Sequence, residues 1–127
     1  MRQHTLGKNE RLKSRKLIEQ LFKGGRSFAN YPFRVYYLRL EGEGPQLQFG
    51  IGVSAKFFKR AVDRNRIKRL VREAYRLQKA AMADMLVQQN KRVAVFFIYT
   101  GKELPDYKSI FEKTTTVLEK LVDLVSK

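Results

Sequence analysis

The chain has 127 residues, 43% of them hydrophobic, and sets 27 Lys and Arg against 12 Asp and Glu, for a formal charge of +15. The lack of cysteine excludes disulfides and thiolate metal sites, and no apolar run approaches the roughly 20 residues a membrane-spanning helix needs. One domain over residues 1–127 is expected, cytoplasmic and without membrane contact, with a field that favours a polyanion such as nucleic acid.

The N-terminus (Met1, Arg2, Gln3, His4) lacks the apolar stretch of a signal peptide. Leu17, Ile18, Leu21 and Phe22 lie at helical spacing and Gly24-Gly25 follows, which predicts a short helix stopped by the glycine pair. Ser27 to Tyr31 and Phe33 to Leu40 are rich in aromatic and branched residues, so extended chain is predicted there, kinked or at a sheet edge at Pro32. Glu41 to Pro45 reads as a turn. Leu47, Phe49, Ile51 and Val53 alternate with Gln48, Gly50, Gly52 and Ser54, the two-residue period of a strand with one buried face. The glycines leave its other face open to close approach.

From about Ala61 to Gln89 the period changes. Ile67, Leu70, Val71, Ala74, Ala81 and Met85 cluster on one side of a predicted long helix. Val93 to Tyr99 is an apolar run of strand length, and Asp106 is a candidate N-cap for a last helix carrying Ile110, Phe111, Val117, Leu118, Leu121, Val122 and Val125. The order αβββαβα predicts an α+β two-layer sandwich.

The excess charge is concentrated in two stretches. Met1 to Arg26 holds eight Lys or Arg against Glu10 and Glu19, and Lys56 to Arg76 holds nine against Asp63 and Glu73. On a helical wheel Arg64, Asn65, Lys68, Arg69, Arg72 and Arg76 fall opposite the apolar stripe, with Arg66 at its border. A solvated helix face usually mixes signs, and like charges three or four residues apart cost a few tenths of a kcal/mol each unless neutralised. The one-signed row therefore points to RNA, whose phosphates the planar guanidinium binds two oxygens at a time, while Asn65 can add a directional bond to base or sugar.

The run Ala61-Val-Asp-Arg-Asn-Arg-Ile-Lys-Arg-Leu-Val-Arg72 closely resembles the RNR signature of the ribonuclease P protein family. The resemblance extends through Phe49-Gly-Ile-Gly-Val-Ser54 and back to Arg11-Leu-Lys13, Leu21-Phe-Lys23, Gly25 and Phe33, roughly the first four-fifths of the chain. It implies a fold like domain 2 of ribosomal protein S5, with a left-handed βαβ crossover against the usual preference. It also implies that Arg64, Asn65 and Arg66, continued by Lys68, Arg69 and Arg72, contact the ribonuclease P RNA, to which the helical wheel adds Arg76. A cleft including Phe22, Tyr36, Ser54 and Lys56 would hold the single-stranded 5′ leader of precursor tRNA, an unpaired strand that suits stacking on aromatic rings. Two departures weaken the expected leader contacts: Val53-Ser-Ala-Lys56 stands where the family has Val-Ser-Lys-Lys, and Ile18 replaces an aromatic. Lys59 and Arg60, in a slightly longer connection, are available to compensate.

A protein nuclease would need clustered carboxylates for a metal, or a base beside a nucleophile. His4 is the only histidine, and Asp63, Glu73, Asp84 and Asp106 are scattered, so no catalytic or metal-binding residue is expected. Under the resemblance, Mg²⁺ serves the partner RNA, which cleaves off the leader with the protein as its non-catalytic subunit, monomeric outside the ribonucleoprotein. The rival readings are a ribosomal-protein-like RNA binder with no role in cleavage, which fits the composition equally well, and a metal nuclease or anionic-membrane binder, which fit it poorly.

Overall fold

A computed structural model describes residues 11–12 and 14–126. His4 and the charges of Arg2, Lys8, Glu10 and Lys13 lie outside them. The elements run α1 (Arg15–Gly24), β1 (Arg26–Asn30), β2 (Phe33–Leu40), β3 (Leu47–Val53), α2 (Ala61–Gln78), α3 (Ala80–Gln88), β4 (Arg92–Tyr99) and α4 (Tyr107–Ser126). The strands form one sheet in the order β1-β2-β4-β3, antiparallel except for the parallel pair β3–β4.

Local chemistry sets most boundaries. The Ser14 side chain accepts a bond from the Leu17 amide at 3.2 Å and starts α1. Gly25 ends it, its amide donating to the Leu21 carbonyl at 3.0 Å. Tyr31 and Pro32 form the two-residue turn of a β1–β2 hairpin, so the proline sits at a reversal rather than at a kink within a strand. Arg92 fastens the β2–β3 connection by donating to the carbonyls of Glu41 (2.6 Å) and Pro45 (3.0 Å). Asp106 is the N-cap the sequence indicates, its Oδ1 accepting from the Ser109 amide at 2.8 Å.

Two layers form the main core. Val35 of β2, Phe49 and Ile51 of β3, and Val93, Val95 and Phe97 of β4 face Ile67, Val71 and Tyr75 of α2 and Ile110, Val117 and Leu121 of α4. The Phe49 and Tyr75 rings stack with centroids 3.8 Å apart. On the other sheet face a smaller cluster of Leu12, Leu21 and Ala94 lies at α1, with Leu17, Ile18, Tyr36, Leu38 and Phe96 around it. Among the described residues no helix is long and apolar enough to cross a membrane.

The long helix expected from Ala61 to Gln89 is divided at Lys79, which keeps right-handed helical angles (φ −72°, ψ −15°) but belongs to neither helix. The buried row runs through Val71, Tyr75, Lys79, Met82 and Leu86, so Ala81 is exposed and Met85 only partly covered. The buried row passes through the break at Lys79 and both helices pack on α4, which a count of apolar residues along one straight helix cannot register.

Gly25 has no room for a side chain, because a Cβ there would stand 2.6 Å from the Leu21 carbonyl oxygen and 3.0 Å from that of Tyr37. Both obstacles are backbone. Gly25→Ala is expected to lower the unfolding free energy by about 1–3 kcal/mol, measured by urea denaturation. A loss under about 0.5 kcal/mol would mean that α1 shifts freely on the sheet.

Candidate RNA interface

α2 begins at the sheet end where β3 stops. Asp63 in its first turn suits the positive end of the helix and lies 3.6 Å from Arg60. Arg64 does not join the outward row. Seven residues bring a helix round to within about 20°, so Arg64 shares its side with buried Val71. Its Nη1 donates to the carbonyls of Phe58 and Lys59, both at 2.8 Å. The expectation that Arg64 faces away from the apolar stripe is thereby corrected: the guanidinium closes the β3–α2 loop and keeps Nε and Nη2 for other partners.

Asn65, Arg66, Arg69 and Arg72 are exposed, and Lys68 is half-buried on the flank. Arg76 is paired instead, its Nε and Nη2 holding both Glu73 oxygens at 3.0 and 2.6 Å. That fork keeps the Glu73 carboxyl below its ordinary range. It raises the pKa of Arg76, whereas that of Arg72 is lowered, by partial desolvation and then by the positive charge of Arg11. Arg11 stands beside β3, paired with Phe49 as a parallel bridge, and the Leu12 amide donates to the Phe49 carbonyl at 2.9 Å. Arg11 thus joins the α2 row to the edge of the sheet, and two neighbouring cations that repel each other favour an anion between them.

Beyond that edge lies the sheet face turned away from the main core. Register brings Phe96 of β4 between Tyr36 and Gly50, and Ile98 between Arg34 and Gly52. The Phe96 ring fills the space the glycines leave, since a Cβ at Gly50 would come within 2.7 Å of it and one at Gly52 within 3.2 Å. Phe22 of α1, 46% exposed, meets Tyr36 edge-on with centroids 4.8 Å apart and Phe96 at 5.7 Å. The Arg34 guanidinium carbon lies 6.0 Å from the Tyr36 centroid.

The structure therefore brings Phe22 and Tyr36 together, as the sequence indicates, and adds Phe96 and Arg34, which it did not. Alternation from Tyr36 could have signalled Arg34. Phe96 sits in a continuous apolar run where no period separates the faces. Ser54 and Lys56 stand apart from the aromatic cluster, since Ser54 is four residues along β3 from Gly50, roughly 13 Å. The Ser54 hydroxyl accepts from the Lys56 amide at 3.1 Å, and Lys56 and Lys102 each hold an ammonium 5.5 Å from the centroid of the exposed Phe57 ring. Among the described residues no three His, Cys, Asp or Glu side chains group to hold a metal ion.

The family model for ribonuclease P matches residues 6–122. The ribonuclease P protein component of Porphyromonas gingivalis is 42% identical over 106 residues, which cover 83% of this chain and 77% of that protein. That of Chlorobium phaeobacteroides is 27% identical, over 93% and 88%. Among solved structures, the RNase P protein of Staphylococcus aureus superposes with a TM-score of 0.73 at 27% identity, covering 90% of this chain and 96% of that one. The Thermotoga maritima RNase P protein gives 0.68 at 29% identity, covering 87% and 96%.

The contrasting settings of Arg64 and Arg66 separate fold from binding. Arg64→Ala removes two charge-assisted bonds to loop carbonyls and is expected to cost about 1–2 kcal/mol of stability, whereas Arg66→Ala is expected to stay within about 0.5 kcal/mol. Thermal and urea unfolding of the two variants measure the difference, and equal losses would contradict the assignment of Arg64 to the loop.

Proposed function

Because the chain belongs to the ribonuclease P protein family, we propose that it holds the ribonuclease P RNA along α2 and the 5′ leader of precursor tRNA on the open sheet face. The RNA carries out the cleavage that leaves a 5′-phosphate on the mature tRNA. The observation that carries the leader assignment is the cluster of Phe22, Tyr36 and Phe96 rings over a strand reduced to glycine at positions 50 and 52. Each ring can stack on a base of any identity, for about 1–3 kcal/mol per base, so the face suits a strand without fixed sequence. The glycines seat the Phe96 ring against β3, so that face is not left open to close approach as the alternation alone suggests: the ring, not bare backbone, meets the RNA strand. Arg34 beside Tyr36 offers a guanidinium to the same strand.

Asn65, Arg66, Lys68, Arg69 and Arg72 take the other role. Forked guanidinium donors bind phosphate oxygens in pairs, and release of counterions from the RNA drives the association. Arg11 extends this row toward β3, and Arg76 contributes only when it exchanges Glu73 for phosphate. In this reading the metal-binding sites belong to the RNA, whose chemistry with Mg²⁺ supplies the hydrolysis. The protein's cations lessen the mutual repulsion of packed phosphates, so that less magnesium is required. Outside the ribonucleoprotein the protein acts as a monomer in the cytoplasm.

Cleavage of 5′-labelled precursor tRNA at low magnesium tests the reading, with the protein alone, a bacterial ribonuclease P RNA alone, and the two combined. Efficient cleavage is expected only from the mixture. No enhancement by folded protein across several bacterial RNAs would overturn it. Tyr36→Ala is expected to weaken precursor binding by about 1–3 kcal/mol and leave mature tRNA unaffected, while equal losses for both would return Tyr36 to a purely structural role.

A further inference from the structure

The sheet end opposite the start of α2 carries a second set of cations. Here β1 begins, β2 finishes, and α1 and α4 both end. A hollow of about 480 Å³ lies between the strands and the last turn of α4, with Arg26 and Arg39 over a floor that includes Tyr37, Leu124 and Val125. It shares Gly24 and Leu38 with a neighbouring hollow of about 470 Å³ lined by Lys16 and Lys23. The two lie on opposite faces of the sheet, the first beside α4 and the second beside α1, and meet only at Gly24 and Leu38; the first, between Arg26 and Arg39, is the groove.

The cations at this end divide by what they do. Lys91 donates to the Val125 carbonyl at 2.9 Å and Arg92 to carbonyls of the β2–β3 connection, so both are engaged in the fold. Arg26 and Arg39 are exposed, and neither forms an ion pair with a described residue. The lining of the Arg26–Arg39 hollow holds no acidic residue, and that of the neighbouring hollow holds Glu19 alone. Glu41 and Glu43 line a third hollow, which meets the groove at Arg39. The groove is therefore net cationic, with apolar walls between its charges.

Its distance from α2 matters. The seven steps of β2 from Phe33 to Leu40 span roughly 23 Å, and α2 starts at the Phe33 end. A phosphate at Arg39 is thus far from one at Arg66, and Arg39, alternating with Leu38, lies on the sheet face opposite Tyr36 and Phe96.

We propose that this groove is a second RNA-binding surface, which takes the sugar–phosphate backbone of a segment of the ribonuclease P RNA different from the one on α2. The proposal rests on the ribonuclease P reading. Paired guanidiniums fit successive phosphates, and the walls of Tyr37, Leu124 and Val125 suit ribose faces between them. An acidic peptide would meet the same charges but would leave the RNA footprint of R26Q/R39Q like that of the parent.

The test compares the full-length protein with R26Q/R39Q and with R66Q/R69Q, binding to a transcribed bacterial ribonuclease P RNA across a salt series. Backbone-cleavage footprinting is run in parallel. R26Q/R39Q is expected to reduce the log-log salt slope by about 1.4–1.8, at roughly 0.7–0.9 per lost phosphate contact. It is also expected to abolish protection of an RNA segment that R66Q/R69Q leaves protected. A parent-like slope and footprint for R26Q/R39Q, with both altered for R66Q/R69Q, would sink the groove and leave the ribonuclease P reading standing. Failure of the parent protein to bind or protect the RNA would sink both. If the double variant unfolds, the single variant Arg39→Gln replaces it: half the change in slope supports the groove, and a parent-like slope overturns it.

Discussion

The parallel pairing of β3 with β4 is the constraint that organises this molecule. β3 follows β2 in sequence but lies on the far side of β4, and a parallel neighbour cannot be reached by a tight hairpin. Residues 54–91 must therefore carry the chain back along the sheet, and α2 and α3 are that return. To cover the β3–β4 surface they commit Ile67, Val71, Tyr75, Met82 and Leu86 to the interior, anchored by the stack of Tyr75 on Phe49. The outward direction of Arg66, Arg69 and Arg72 follows from that commitment.

The same geometry sorts residues of one type into different tasks. Arg64, Arg66 and Arg76 lie on one helix within four turns, yet one closes a loop, one meets solvent and one holds a carboxylate. The half-buried Glu73–Arg76 pair lies at the surface and adds little stability, as surface pairs generally do. Its effect is on availability, since an arginine already forked onto Glu73 must exchange partners before it can bind phosphate. The density of positive charge in a sequence therefore overstates the density of free cationic groups on the surface.

Periodicity carried most of the fold. The two-residue alternation of β3, the apolar face of α2 and the caps at Gly25 and Asp106 were legible because each depends on neighbours within a few residues. What depends on distant segments was not. The division at Lys79 falls where both helices pack on α4, and the inward side of Arg64 follows from how the loop before it closes. The meeting of Phe96 with Gly50 and Gly52 requires knowing that β4 lies beside β3 in one register. The basic row was legible from charge and helical spacing, the pairing of Phe22 with Tyr36 was reached through the family signature, and the groove at Arg26 and Arg39 draws on elements far apart in sequence, which no local pattern links.

β3 is also an outermost strand, and an outermost strand offers unpaired backbone groups to any extended peptide that drifts past. Arg11 and Leu12 occupy part of that border, with one backbone bond and a charge that repels other chains of this protein. They act as a guard strip against open-ended sheet growth. A form of the protein shortened to the start of α1 would keep its core and its cationic helix, but it would present a bare strand edge, and self-association during concentration would become the practical limit on handling it.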